Sequence, residues 1–343
     1  MTSRFTRCLP TLLLFASAFG TAQNQEIPPN IPGQMIDIGG YRLHINCTGK
    51  GSPAVILENG LGDNYADWAL VQPKVAEFTR VCSYDRAYDG FSDAGPIPVT
   101  MHQEVYELHQ LLHAARIRGP YILAGHSFGG ILARLYASTY PADIAGLVFI
   151  DSTHEDVRMG DTMFRERAKG MPVPAPQTMK SSPPLPFTPE EQKLVDQVMK
   201  RRQEQAKQPV DPSMAHLPPD VLNLDRWARA HPKLPSTAKG LQEIWLAEEF
   251  QQMHNERANK QYLFGNIPIV VLGARRANPG DFSERQAQLE DMANFSHNSR
   301  LFVDQESSHH IQWDNPSLVI RSIRDVFVAA KKHSLLVGQP QTK

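Results

Sequence analysis

From about Met35 onward, short apolar runs alternate with stretches of helical period. Met35 to Ile38 and Tyr41 to Cys47 flank Gly39-Gly40, which predicts two strands joined by a tight turn. Ala54 to Glu58 is an apolar run ending at Asn59-Gly60 and reads as a buried strand. Arg80 to Tyr84, Tyr121 to Ala124, Gly146 to Ile150, Ile267 to Leu272 and Arg300 to Val303 read the same way. Between them, Met101 to Ala115 carries Val105, Leu108, Leu111 and Leu112 on one helical face. Gly129 to Tyr140 and Pro316 to Ala330 follow the same period, the second opening with a proline suited to a first helical turn. Strands alternating with helices predict a mostly parallel sheet covered on both faces.

One region breaks the alternation. Thr153 to Gly265 contains no convincing strand, is punctuated by prolines, and has helical stretches near Pro189 to Gln205 and Ala238 to Phe264. A separate helical insertion is expected there. The expected organisation is therefore a leader over 1–22, a core over 23–152 and 265–335, a helical lid over 153–264, and a tail over 336–343.

The leader changes the compartment. Arg4 and Arg7 precede a mostly apolar stretch from Leu9 to Phe19, and small residues cluster at Ala16, Ala18, Gly20 and Ala22. That layout predicts a secretory signal peptide cleaved near Ala22, and hence a periplasmic or secreted protein. The apolar run is short of the roughly 20 residues a membrane span takes, so no stable span is expected. Cys8 leaves with the leader, and Cys47 and Cys82 remain.

Composition adds exclusions. With 41% hydrophobic and 21% charged residues and a formal net charge of -1, the chain has an ordinary globular balance. It has no concentrated basic stretch of the kind that displaces counterions from phosphates, so nucleic acid is not an expected partner.

The strongest chemical signal is Gly125-His126-Ser127-Phe128-Gly129-Gly130, set between an apolar strand and a helix. G-x-S-x-G in that setting forms a sharp turn that exposes the serine hydroxyl as a nucleophile. A serine hydroxyl needs a base at neutral pH. His309 and His310, in Ser307-Ser-His-His-Ile-Gln-Trp-Asp-Asn-Pro, are both candidates, and composition does not choose between them.

Several stretches together resemble the α/β-hydrolase family, in particular its exported, lid-bearing serine hydrolases. They are Glu58-Asn-Gly-Leu-Gly, Tyr84-Asp-Arg-Ala-Tyr-Asp-Gly-Phe-Ser, the Ser127 turn, Phe149-Ile-Asp-Ser-Thr-His and Ser308-His-His-Ile-Gln-Trp-Asp-Asn-Pro. The resemblance implies a mainly parallel eight-stranded sheet flanked by helices, with a helical lid. It implies Ser127 as nucleophile, His309 as base, and the backbone N–H groups of Leu61 and Phe128 as the oxyanion hole. The third member is either Asp151, which ends the strand Gly146 to Ile150, or Asp281, the first acid after Gly273. Asp151 is the preferred assignment.

The implied activity is cleavage of a carboxylic ester or similar acyl bond of a small molecule through an acyl-enzyme. The same three residues also serve lyases, acyltransferases and peptidases, and a non-enzymatic binding protein on this fold is a further alternative. A serine at the turn argues against the dehalogenase and epoxide-hydrolase branches, which need a carboxylate nucleophile. No cofactor or metal is required. His154, Glu155 and Asp156 match no common metal spacing, and Asp85 and Arg86 read as a structural ion pair or loop brace. Phe164, Trp227, Trp245 and Phe250 in the lid suggest a substrate with an apolar group, unless they only pack the lid. In the family's sheet the strands bearing Cys47 and Cys82 are neighbours, which implies a disulfide. Oligomeric state is not legible.

Overall fold

In the computed structural model, the described residues are 30–157 apart from position 97, scattered positions between 158 and 218, and 219–336 apart from 231–236, 259 and 261. The expected leader and Phe164 lie outside them, as does the tail beyond residue 336 and most of Pro189 to Gln205.

Eight strands form one sheet: β1 (Gln34–Asp37), β2 (Arg42–Thr48), β3 (Ala54–Glu58), β4 (Val81–Tyr84), β5 (Tyr121–His126), β6 (Ile144–Ile150), β7 (Ile269–Ala274) and β8 (Ser299–Asp304). Their order is β1-β2-β4-β3-β5-β6-β7-β8. β2 runs antiparallel to both its neighbours, and every other pairing is parallel. All eight expected strands are present, with ends moved by a few residues.

The central strands β3, β5 and β7 are buried at every position. That is why they read as continuous apolar runs instead of alternating ones. The period-2 alternation of side chains then divides them between two layers. Ile56, Leu123, Leu147, Phe149 and Val271 join one cluster with α2 (Met101–Ala114) and α3 (Phe128–Thr139). Val55, Leu57, Ile122, Ala124, Val148 and Val270 join the other, against Val75 of α1 (Gln72–Val75) and Val319, Ile323 and Val326 further along the chain.

Between β6 and β7 the chain forms α4 (Pro219–Ala230) and α5 (Thr237–Arg257), and no strand among the described residues. Helix α5 ends earlier than the apolar pattern predicts, and α4 was not expected. Both dock on the core. Leu246, Phe250 and Met253 of α5 belong to the first cluster, and Trp227 of α4 stacks on Phe91 with ring centroids 5.5 Å apart. The Glu249 carboxylate on α5 accepts the Met101 and His102 backbone N–H groups, capping the start of α2 from another element.

The remaining helices are α6 (Ser283–Ala293), α7 (Ile311–Asp314) and α8 (Pro316–Lys332). Cys47 and Cys82 are direct cross-strand partners on β2 and β4 and form a disulfide, with their Cα atoms 4.0 Å apart. No helix among the described residues is long and apolar enough to cross a membrane.

Candidate active site

The chemistry collects at the C-terminal ends of β3, β5, β6 and β7, the edge where parallel sheets assemble sites. Ser127 follows β5 directly and caps α3 with φ 52° and ψ -121°, a left-handed conformation for a non-glycine residue. The turn is held by Ser127 N–H on Ile150 O at 3.0 Å and by Gly130 N–H and Thr153 N–H on Ser127 O at 3.0 and 2.9 Å. Glycine is needed at two flanking positions. A Cβ on Gly125 would meet Gly129 O at 2.4 Å, and one on Gly129 would meet Glu58 O at 2.4 Å. The strain at Ser127 is thus fixed by close backbone packing around it.

Asp151 follows β6, also at positive φ (40°), and is 3% exposed. Its Oδ2 lies 2.6 Å from His309 Nδ1. Its Oδ1 accepts Ala274 N–H at 3.2 Å and Arg285 Nη2–H at 2.8 Å. Burial pushes the Asp151 carboxyl up, but the His309 hydrogen bond and the Arg285 charge outweigh it and hold the group below its ordinary range. Asp151 is therefore an ionised acceptor, so His309 Nδ1 is the donor in this contact. The His309 side chain is 43% exposed. Ser127 Oγ makes no hydrogen bond among the described residues. Such contacts commonly tighten only when substrate is bound.

The alternative histidine and acid have other partners. His310 stacks on Trp313 at 3.9 Å, and burial first and then neighbouring His126 push it down to about 4. Asp281 is exposed and accepts the Ser283 N–H at 2.9 Å near the start of α6, with no bond to His309.

Leu61 is 49% exposed in the loop after β3, and Phe128 is buried at the first position of α3. Neither backbone N–H has a hydrogen-bond acceptor among the described residues. The loop is fixed from beneath by Arg86, whose Nη1 donates to Asn59 O at 2.7 Å and Glu58 Oε1 at 2.9 Å, and whose Nη2 donates to Gly60 O at 2.5 Å. The Asn59 side chain adds a donor to Tyr84 O and an acceptor for Trp68 Nε1, both at 2.6 Å. Asp85 turns elsewhere, accepting Tyr65 N–H and Phe91 N–H and facing His44 Nδ1 at 2.9 Å.

Other polar groups are committed. His154 faces Asp291 at 2.9 Å, Glu155 pairs with Arg257 at 2.7 Å and Arg134 at 3.2 Å, and Asp156 pairs with Arg257 at 2.5 Å and His254 at 2.6 Å. Among the described residues Asp63, His126 and His310 offer one metal-ligand atom each within 4.8 Å of one another. Arg229 of α4 already places a cation 3.6 Å from Asp63. His126 Nε2 donates to His309 O at 2.9 Å, tying the Ser127 turn to the histidine loop.

A cavity of about 560 Å³ opens beside the acid, bounded by Asp151, His309, Arg285, Asn278, Glu284 and Gln288 among others. Nothing in the sequence pointed to Arg285, and Arg275 and Arg276, which stand nearer Gly273 in the chain, turn elsewhere. Those two bind backbone carbonyls of Asn278, Gly280 and Glu306.

A family model described as alpha/beta hydrolase fold matches residues 53–316. The chain is 25% identical to the uncharacterized protein YqjL of Bacillus subtilis over 284 residues, covering 82% of this chain and 86% of that one. Among solved structures it is similar to an esterase from Thermogutta terrifontis, with TM-score 0.59 and 19% identity over 87% of this chain and 99% of that one. It is also similar to an enol-lactonase from Burkholderia xenovorans LB400, with TM-score 0.57 and 18% identity over 86% of this chain and 100% of that one.

Proposed function

The chain belongs to the alpha/beta hydrolase family, and from that premise we propose that it is a serine hydrolase cleaving a carboxylic ester or similar acyl bond of a small molecule. The observation that carries this is the 2.6 Å contact of His309 with a buried, ionised Asp151, at the same sheet edge as a serine held at positive φ in a strand-to-helix turn.

In this reading Ser127 Oγ attacks the acyl carbon while His309 Nε2 takes its proton. The oxyanion is held by the Leu61 and Phe128 N–H groups, each such donor contributing about 3 kcal/mol in the transition state. His309 then protonates the departing alcohol, leaving an acyl-Ser127. Water, deprotonated by His309, releases the acid. Asp151 keeps the proton on Nδ1 and stabilises the imidazolium without itself accepting the proton.

We also propose that residues 153–264 form a lid and that the protein is exported. Docking of α4 beside the Leu61 loop, through Asp225 on Asn64 at 2.6 Å, supports the first. The Cys47–Cys82 disulfide supports the second, because such bonds persist in oxidising compartments. Trp227 and Phe250, two of the lid residues that suggest an apolar substrate group, pack against the core.

The reading is tested with a panel of small esters, with free acid and new ester quantified with and without an acceptor alcohol. Free acid as the main product in both supports hydrolysis. Acyl transfer dominating even at low alcohol concentration would make the protein an acyltransferase.

A further inference from the structure

Asp151 has a partner that the acyl chemistry does not by itself require. Arg285, the third residue of α6, brings Nη2 to 2.8 Å from Asp151 Oδ1, on the side of the carboxylate away from His309. The arginine side chain is 13% exposed, and its Nη1 reaches Gln288 Oε1 at 3.5 Å. Among the described residues its carboxylate partner is Asp151.

We propose that Arg285 is a positioning residue for Ser127, His309 and Asp151, fixing the plane of the Asp151 carboxylate and setting the basicity of His309. This rests on the catalytic reading of those three residues given above.

Two physical effects support it. His309 holds Oδ2 at 2.6 Å, while the backbone N–H on Oδ1 lies at 3.2 Å. A charged donor on Oδ1 at 2.8 Å from a different element holds that side of the carboxylate more tightly. The charge effect is independent of the first. Without Arg285, Asp151 and a neutral imidazole carry -1, and proton uptake by His309 neutralises the pair. With Arg285 the trio is neutral before uptake and +1 after it, so the imidazolium is less favoured. The Arg285 charge thus opposes the positive charge that builds on His309 when it takes up a proton.

Other titratable groups face this trio. The His126 and His310 rings lie 4.7 and 5.5 Å from His309, and His154, Asp281 and Glu284 border the adjoining cavity. The two acids oppose the Arg285 field and water in the cavity screens it, so the net effect is moderate. All five groups remain in place when only residue 285 is changed, so the difference between variants isolates the guanidinium.

The test is the second-order rate of Ser127 phosphonylation by a fluorophosphonate, followed from pH 4.5 to 9 in wild type, Arg285→Gln and Arg285→Lys, with a melting curve for each. The rate depends on neutral His309 and needs no knowledge of the natural substrate. Arg285→Gln is expected to move the acid-side midpoint up by roughly 0.5–1 pH unit. Arg285→Lys, which keeps the charge, is expected to return it close to wild type. Should Arg285→Gln lose its melting transition, Arg285→Met takes its place, with the same shift expected.

An unmoved midpoint in a folded neutral variant overturns the proposal, as does a lysine variant that shifts as far as the neutral ones. Both would leave Arg285 as an anchor for α6. Absence of any Ser127 adduct in wild type removes the catalytic reading, and this proposal with it. An adduct with an unmoved midpoint removes this proposal alone.

Discussion

His309 Nδ1 and Asp151 Oδ2 meet at 2.6 Å although 158 positions separate them in the chain. Replacing the carboxylate by an amide tests what that contact does. In Asp151→Asn the amide nitrogen is free to turn toward Nδ1, which then becomes the acceptor and places the ring proton on Nε2, where Ser127 needs a lone pair. The expected result is a kcat on a small ester lower by roughly 10³–10⁴-fold with folding retained. Asp281→Asn, at an exposed position near the start of α6, is expected to stay within about two-fold of wild type. The opposite pattern would make Asp281 the acid.

Glu107 predicts a pH dependence of stability unrelated to catalysis. Its Oε1 accepts the Tyr41 hydroxyl at 2.6 Å and the Gln103 amide at 3.0 Å, and burial pushes the carboxyl from near 4.5 up to about 7. Between those values the folded protein holds a proton that the unfolded chain has lost. Stability therefore falls as pH rises through that window. Urea unfolding at pH 5 and pH 8 should show wild type losing roughly 2–3 kcal/mol more than Glu107→Gln over that interval. Equal losses would mean that Glu107 ionises normally in the folded protein.

The disulfide predicts a stability difference of known sign. Cys47 and Cys82 close a loop with a sequence separation of 35. The chain-entropy model assigns such a loop about 3–4 kcal/mol, removed when both cysteines become serine. Urea midpoints of wild type and the double serine variant measure it, with thiol alkylation of native protein checking that neither cysteine is free. An unchanged midpoint would place the constraint elsewhere.

Arg86 links stability to the loop after β3 that is proposed to hold the oxyanion. It supplies the cation for buried Glu58 and donors for Asn59 O and Gly60 O. Arg86→Met leaves that carboxylate buried without its cation, an unpairing that costs roughly 3–5 kcal/mol. The urea midpoint should fall accordingly, with ester turnover falling further as the loop loosens. Wild-type stability in this variant would contradict the bracing role.

Much of the fold was legible because burial on both faces makes β3, β5 and β7 continuous apolar runs, and because the glycines around Ser127 mark a turn few other residues tolerate. Helix α6 was not legible. Only Leu289 and Met292 of its residues are buried, too few to show a helical period. Missing α6 also meant missing Arg285. The choice between His309 and His310 could not be made from adjacent residues of one type. It depends on a loop in which one ring turns to Asp151 and the other stacks on Trp313. For Arg86 the brace was legible but its targets were not, since they are backbone carbonyls, which no side-chain pattern reveals.

The central claim is that Ser127 is an activated nucleophile, and its most direct measurement is intact-protein and peptide mass spectrometry after exposure to a fluorophosphonate, with Ser127→Ala alongside. One adduct, mapped to Ser127 and missing from the folded alanine variant, is the predicted result. An adduct on another residue that persists in Ser127→Ala, or folded wild-type protein that stays unmodified while a small ester is still cleaved, would contradict it.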